Sequence, residues 1–141
     1  MTEYTTSGII CIDKKTQQFL MMKSKFNDKK WSFPKGYIEK NETPLNSALR
    51  ELYEETCIQL NENDLSKYTY DLKLVMNKPT RKIPTGIKII HFYIAFIDSS
   101  TPITLSREHS EFTWTSNIEK LKNINQEFVE LSQKIKSEIF V

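Results

Sequence analysis

Two short apolar runs near the start of the chain are separated by a polar turn. The runs cover residues 8–13 and 18–24, and the turn runs from Lys14 to Gln17. Apolar runs of this length that are bounded by polar residues are typical of strands in a buried sheet. We therefore expect the two runs to form strands that pair with each other.

Two later segments also have the pattern of strands. Residues 68–76 end in Leu-Lys-Leu-Val-Met, and residues 88–97 are apolar at most positions. The second segment is too apolar for an exposed strand, so we expect it near the centre of the sheet. Pro79, Pro84 and Gly86 predict a loop between the two strands. The sequence therefore predicts a hairpin here.

One segment after the first strands has the period of an amphipathic helix. Thr43 supplies a hydroxyl cap, Pro44 suits the first helical position, and nothing breaks a helix before about Thr56. The apolar stripe of this helix falls at i, i+4 and i+7 and comprises Leu45, Leu49 and Leu52.

A second amphipathic helix is predicted at the end of the chain. Its apolar residues recur at spacings of four, three and four, and they are Ile124, Phe128, Leu131 and Ile135. Each helix must bury its apolar stripe against the sheet. We therefore predict an α/β fold, an α/β/α sandwich in which the two helices cover opposite faces of a mixed central sheet.

Composition narrows the class of protein. A length of 141 residues favours a single domain over residues 1–141, and a net charge of +2 excludes a global field for binding polyanions. Cys11 and Cys57 lack metal-ligand spacing and are expected to be reduced thiols, as in a cytoplasmic protein. No apolar run reaches the length of a membrane span, and the first residues do not resemble a signal peptide, so no membrane partner is expected.

Three carboxylates share one face of the first predicted helix. Glu51, Glu54 and Glu55 lie at i, i+3 and i+4, and only Arg50 offers a local counter-charge. The like-charged pair at i, i+4 costs a few tenths of a kcal/mol, about 0.2–0.5, in an isolated helix. A helix that served only stability would have lysines between its acids. Oxygen ligands that lack partners are what a hard divalent cation requires.

The spacing around this helix resembles the Nudix box, G-x5-E-x7-R-E-U-x-E-E-x-G-U, where U is a bulky aliphatic residue. Cys57 departs from the pattern, which has glycine at this position after the helix, where a left-handed conformation is favoured. The matching residues are Gly36, Glu42, Arg50, Glu51, Leu52, Glu54, Glu55 and Ile58. The alternative interpretation of these acids is a solvated helix face.

Two further stretches resemble parts of Nudix enzymes. The lead-in Trp31-Ser-Phe-Pro-Lys-Gly36 is similar to that of Nudix hydrolases of dinucleoside polyphosphates and of RNA 5′ ends, although Trp31 also suits a core. The stretch Ser106-Arg-Glu-His-Ser-Glu-Phe-Thr-Trp114 resembles the S-x-E-H-x-x-x-x-W stretch of asymmetrical diadenosine tetraphosphate hydrolases. An edge loop with exposed acids is the alternative for the second stretch.

The resemblance implies a metal site and a set of catalytic residues. It implies Mg²⁺ or Mn²⁺ as the cofactor, and Glu54 or Glu108 as the group that orients or deprotonates water. Arg50 joins the catalytic set, and its ion pair with Glu42 is expected to clamp the preceding loop onto the helix. The implied metal ligands are Glu51, Glu54, Glu55, Glu108 and the carbonyl of Gly36.

Basic and aromatic residues near the box are candidates for binding substrate. The stretch between Leu72 and Ile97, which has the predicted loop in its middle, has no acidic residue and several basic ones. A basic loop suits a polyphosphate or an RNA backbone, although a solvated loop has the same composition. His91 is interpreted as a strand residue and His109 as a candidate phosphate contact. The candidate substrate residues are Lys35, Arg81, Lys82 and Lys88 for phosphate, and Phe92 and Tyr37 for stacking on adenine.

Several functions remain open at this stage. The leading prediction is a metal-dependent hydrolase that cleaves diadenosine tetraphosphate to ATP and AMP. The alternatives are an enzyme acting on RNA 5′ ends, by decapping or by removing pyrophosphate, and a hydrolase of diphosphoinositol polyphosphates. A non-catalytic nucleotide-binding module is less favoured, because all the box carboxylates are present. A monomer or a homodimer is expected.

Overall fold

The computed structural model describes residues 2–26, 29–76 and 86–140. These ranges contain strands, two α-helices and two short 3-10 turns at Glu62–Asp64 and Ile118–Lys120. The strands are β1 (Thr2–Asp13), β2 (Gln18–Ser24), β3 (Trp31–Ser32), β4 (Lys35–Tyr37), β5 (Leu65–Met76), β6 (Gly86–Phe96) and β7 (His109–Thr115), and the helices are α1 (Pro44–Thr56) and α2 (Gln126–Ile139).

The described strands form one mixed sheet. Its main path has the order β3-β2-β1-β6-β5, β4 pairs with β1, and β7 pairs with β2. The pairing of β1 with β6 is parallel, and the other pairings are antiparallel. The predicted pairing of the first two strands is confirmed, and β6 lies between β1 and β5, inside the sheet as expected.

The two faces of the sheet carry separate apolar clusters. Ile10 and Ile12 of β1 belong to the cluster that includes Phe128 of α2. Ile9 and Cys11, which alternate with them, belong to the cluster under α1. Side chains along a strand point alternately to opposite faces, so one strand serves both clusters. The predicted α/β/α sandwich around a mixed sheet is confirmed.

Both ends of α1 match the sequence pattern. The side chain of Thr43 accepts a hydrogen bond from the backbone N–H of Asn46 at 3.1 Å, and Pro44 is the first helical residue. At the other end Cys57 has φ 62° and ψ 15°, and its N–H donates to the carbonyl of Tyr53 at 2.8 Å. The left-handed conformation expected at this position is therefore present with cysteine in place of glycine.

Some element boundaries differ from the prediction. Strand β1 begins at Thr2 rather than at residue 8, because its polar first half is paired in parallel with β6. Strand β5 begins at Leu65, three residues before the predicted start. Ile124, which was predicted on the terminal helix, precedes α2, since the helix begins at Gln126. Trp31 is buried in the core under α2. Residues 77–85, which make up most of the predicted basic loop, lie outside the described residues.

Two further findings concern membranes and cysteines. No helix in the described ranges is long and apolar enough to cross a membrane. Cys11 is buried, Cys57 is exposed, and both are free thiols.

Candidate active site

Arg50 of α1 clamps the loop that leads into the helix. Its Nε donates to Glu42 Oε2 at 2.7 Å, and its Nη2 donates to Glu42 Oε1 at 2.9 Å and to the carbonyl of Tyr37 at 3.1 Å. This two-point contact lowers the pKa of Glu42 to about 2. The ion pair between Arg50 and Glu42 that the sequence predicts is present.

The remaining nitrogen of Arg50 faces two other box carboxylates. Its Nη1 donates to Glu51 Oε1 at 3.1 Å, and to Glu54 Oε1 and Oε2 at 2.9 and 3.2 Å. One guanidinium therefore donates hydrogen bonds to three glutamates, and its Nη1 also lies 3.7 Å from Oε1 of Glu39. The pKa of Arg50 is raised, first of all by its hydrogen bond to Glu42. Arg50 supplies the local counter-charge to this acidic cluster.

Glu51 lies directly against Gly36 of β4. A Cβ built on Gly36 would overlap the carboxylate of Glu51. The absence of a side chain at Gly36 therefore leaves the space that this carboxylate uses. Burial raises the pKa of Glu51, the charge of Arg50 opposes this rise, and the charges of Glu54 and Glu108 add to it.

Glu55 is buried, with 6% of its surface exposed. Its Oε1 accepts the backbone N–H of Lys35 at 2.9 Å, and its Oε2 lies 3.3 Å from Nε2 of His109. Burial is the main cause of a raised pKa of this carboxyl, and the charges of Glu51 and Glu108 raise it further. Glu55 is thus a buried carboxyl whose charged form is destabilised by its surroundings.

The donor set suits a hard divalent cation. The carboxylate of Glu51 lies against Gly36, and the charges of Glu51 and Glu108 both disfavour the charged form of Glu55. A cation would relieve this repulsion. Within residues 2–26, 29–76 and 86–140, no three acidic, histidine or cysteine side chains converge on one point that could hold a metal ion. Arg50 holds Glu51 and Glu54, and the backbone N–H of Lys35 holds Glu55.

Lys35, Lys88 and Tyr37 form a cationic group beside the carboxylates. Nζ of Lys88 lies 5.4 Å from the ring centroid of Tyr37, which is 42% exposed. Burial and then the charge of Lys35 lower the pKa of Lys88 to about 7. The charge of Lys35 also opposes the rise in the pKa of Glu55, so Lys35 is close to both Lys88 and the acidic cluster. Arg81 and Lys82 lie outside the described residues.

The prediction that Phe92 stacks on adenine is wrong. Phe92 is 1% exposed and belongs to the core under α2. Its ring packs edge-on against Phe33, with centroids 5.5 Å apart, and against Phe128, with centroids 6.3 Å apart. Side chains along β6 point alternately to the two faces of the sheet, and Phe92 points into the core under α2, where no ligand has access.

Glu108 and His109 lie at the start of β7, next to the carboxylates of α1. Glu108 is exposed, and its carbonyl accepts the N–H of Lys25 at 2.8 Å. Residues 109–115 form strand β7 rather than an edge loop. His109 is 9% exposed, and both of its ring nitrogens face protein atoms, so its prediction as a phosphate contact is wrong. The sequence analysis missed its contact with Glu55, for which the only signal was its position next to Glu108.

Comparisons with known proteins identify the family of this chain. Residues 3–132 match the model of the NUDIX domain. The asymmetrical bis(5′-nucleosyl)-tetraphosphatase of Rattus norvegicus is 30% identical over 104 residues, which cover 73% of this chain and 67% of that protein. The RNA pyrophosphohydrolase of Roseobacter denitrificans is 27% identical, over 83% of this chain and 79% of that protein.

A solved structure supports the same fold. A C. elegans Ap4A hydrolase in a binary complex superposes with a TM-score of 0.77 and 20% identity, covering 95% of this chain and 96% of that chain. Since the NUDIX domain model matches nearly the whole length, from β1 into α2, the chain belongs to the NUDIX family.

Proposed function

We propose that this NUDIX hydrolase cleaves a pyrophosphate linkage in nucleoside polyphosphates with a divalent cation, Mg²⁺ or Mn²⁺. The preferred substrate is diadenosine tetraphosphate, which is cleaved asymmetrically to ATP and AMP. The observation behind this proposal is the close placement of the α1 carboxylates and Lys35, a cation that faces both Glu55 and Lys88. A carboxylate cluster next to a pair of lysines fits a metal-bound polyphosphate chain.

The carboxylates have the role of holding the cation. A bound divalent ion neutralises phosphate charge and activates water as a nucleophile. Glu51, Glu54 and Glu55 would hold it, with Glu108 and the carbonyl of Gly36 completing the set. Glu54 is about half exposed and its carboxylate contacts Arg50, so it can turn toward solvent and orient or deprotonate the attacking water. Glu108, also exposed, is the second candidate for this step.

Lys35 and Lys88 have the role of gripping phosphate. A half-buried ammonium next to a second ammonium is unfavourable without an anion, and the lowered pKa of Lys88 reflects this. A bound phosphate would stabilise both charges. The exposed ring of Tyr37 lies beside Lys88 and offers a surface for stacking on adenine. Arg50 supports this step by donating a hydrogen bond to the carbonyl of Tyr37 at the end of β4.

An RNA 5′ end is the second candidate substrate. The similarity to an RNA pyrophosphohydrolase over 83% of the chain favours it, together with the Trp31-to-Gly36 lead-in. The similarity to asymmetrical bis(5′-nucleosyl)-tetraphosphatases is shorter, over 73% of the chain, but its identity is higher, 30% against 27%, and the Glu108-His109 stretch also favours this substrate. A cytoplasmic location and a monomeric or homodimeric state stay predictions.

A substrate panel tests the proposal. Purified protein is incubated with diadenosine tetraphosphate, capped RNA, triphosphorylated RNA and a diphosphoinositol polyphosphate, each with Mg²⁺ and with Mn²⁺, and the products are identified. We expect the highest kcat/KM for diadenosine tetraphosphate, with ATP and AMP as products. A preference of tenfold or more for either RNA would replace this substrate with an RNA 5′ end. Cleavage of none of them would favour a nucleotide-binding module.

A further inference from the structure

Ser106, His109 and Glu55 form a chain of side-chain contacts. Nε2 of His109 lies 3.3 Å from Glu55 Oε2, and Nδ1 of His109 lies 3.2 Å from the hydroxyl oxygen of Ser106. The same hydroxyl oxygen accepts the N–H of Glu108 at 3.3 Å. With one of its two lone pairs used in this way, the hydroxyl can donate its proton to Nδ1, and in this tautomer Nε2–H donates to Glu55.

The backbone fixes this chain of contacts in place. The N–H of Ser106 donates to the carbonyl of Glu55 at 3.3 Å, and the N–H of Thr104 donates to the carbonyl of Thr56 at 3.0 Å. Residues 104–106 therefore run along the end of α1. The position of His109 relative to Glu55 is set by these backbone contacts as well as by the side chains.

The two oxygens of Glu55 are held from opposite elements. Oε1 accepts the N–H of Lys35 from β4, and Oε2 faces His109 at the start of β7. A carboxylate oxygen has two lone pairs, so each oxygen retains one that can reach a cation. Without His109, Oε2 would be buried with no donor, and the carboxylate would have reason to rotate.

We propose that His109 is a positioning residue for metal binding, and that it fixes the carboxylate of Glu55 through a hydrogen bond from Nε2 while Ser106 orients the ring. This contact joins the start of β7, next to Glu108, to Glu55 on α1. Removal of a residue that hydrogen-bonds to a metal ligand typically lowers metal affinity or activity by about 10- to 100-fold. This inference rests on the proposed role of Glu55 as a metal ligand.

The test compares two substitutions at His109. His109→Gln retains an N–H donor at a similar reach to Nε2, whereas His109→Leu has a similar size and no donor. His91→Leu is the matched control, because His91 is the other histidine of the chain and contacts Asp71 on the neighbouring strand at 2.6 Å. The readouts are Mn²⁺ affinity, measured by electron paramagnetic resonance without substrate, and kcat and KM for diadenosine tetraphosphate at saturating Mn²⁺.

We expect His109→Leu to weaken Mn²⁺ binding about 10- to 100-fold and to lower kcat, with little change in KM. His109→Gln should recover most of both losses, and His91→Leu should behave as the wild type. Should His109→Leu fail to fold, His109→Gln and Ser106→Ala complete the test, with near wild-type affinity expected for the first and a several-fold loss for the second.

Three results would overturn the inference. The first is an unchanged Mn²⁺ affinity in folded His109→Leu. The second is an equal loss of Mn²⁺ affinity in His109→Leu and His109→Gln. The third, which applies if His109→Leu does not fold, is an unchanged Mn²⁺ affinity in Ser106→Ala. Wild-type protein that hydrolyses its substrate but fails to bind Mn²⁺ through the α1 carboxylates would overturn the proposed metal site as well. Wild-type protein that binds Mn²⁺ but cleaves no substrate would instead contradict only the proposed reaction.

Discussion

The Cα of Gly36 and the carboxylate of Glu51 are in direct contact, and a Cβ at position 36 would overlap that carboxylate. The contact joins β4 to α1 at the centre of the candidate site. Since the overlapping group is the end of a flexible side chain, Glu51 can move aside without disturbing the sheet. The need for glycine here therefore concerns the position of a proposed metal ligand more than the stability of the fold.

Gly36→Ala should consequently leave the fold intact and impair the metal site. We expect kcat to fall about 10- to 100-fold and the Mn²⁺ concentration for half-maximal activity to rise. The measurement is steady-state kinetics with Mn²⁺ titration, with circular dichroism as a check on folding. If the substitution acts through Glu51, the double variant Gly36→Ala/Glu51→Ala should be no less active than Glu51→Ala alone. Additive losses would contradict this explanation.

Cys57→Gly should be neutral or stabilising. Cys57 is exposed and has φ 62°, a left-handed conformation that disfavours residues with a Cβ by about 1 kcal/mol. Glycine removes that strain, although its freer unfolded chain offsets part of the gain. Denaturant melts should give a change in the free energy of unfolding between zero and about +1 kcal/mol. Asn41→Gly is the control, because Asn41 has φ 69° but asparagine tolerates this region, so its gain should be smaller. A loss above about 1 kcal/mol for Cys57→Gly would mean that the thiol makes a stabilising contact.

The pKa of Lys88 predicts a pH dependence of substrate binding. Its value is lowered to about 7, so the free enzyme loses the Lys88 charge as pH rises through 7. Diadenosine tetraphosphate lacks a terminal phosphate, and its charge stays constant over this range. We expect KM to rise between pH 7 and 8.5, by at most about tenfold per pH unit. Lys88→Met should have a high KM that does not change with pH, and the exposed Lys73→Met should behave as the wild type. A flat wild-type profile would contradict the phosphate role of Lys88.

The lowered pKa of Lys88 also predicts an effect on the stability of the fold. The folded pKa of Lys88 lies below the ordinary value of 10.5, so between about pH 7 and 10.5 the unfolded chain binds more protons at this residue than the folded protein does. The contribution of Lys88 to the free energy of unfolding therefore rises with pH across this window. Lys88→Met should raise stability at pH 7 and weaken this pH dependence, which thermal melts at several pH values can measure. Lower stability of Lys88→Met at pH 7 would contradict the prediction.

The sequence predicts α1 and its surroundings well because several local signals agree. Thr43 and Pro44 define the start of α1, and the period of the apolar residues fixes the face that it buries. The contact between Arg50 and Glu42 depends on residues eight apart, within reach of one loop and one helix. The polar first half of β1 gave no such signal, since Thr2–Ser7 becomes a strand by pairing with the distant β6 and, at Thr6 and Ser7, with β4 as well.

The residues around the site were harder to predict because residue type does not determine exposure. Phe92 is an aromatic residue near a basic stretch, but the alternation of β6 places it in the core under α2. His109 and Glu55 lie 54 positions apart in the sequence, so their contact depends on how β7 and α1 are placed in the fold. Lys35 and Lys88 meet for the same reason, since β4 and β6 both pair with β1.

The most direct test of the proposed metal-dependent hydrolysis is the turnover of Glu54→Gln on diadenosine tetraphosphate. The substitution retains size and helix propensity and removes one charge, and Glu130→Gln on the exposed face of α2 is the matched control. We expect kcat of Glu54→Gln to fall at least about a hundredfold at saturating Mg²⁺, with an unchanged circular dichroism spectrum and a wild-type rate for the control. Near wild-type turnover of Glu54→Gln at saturating Mg²⁺ would contradict the account.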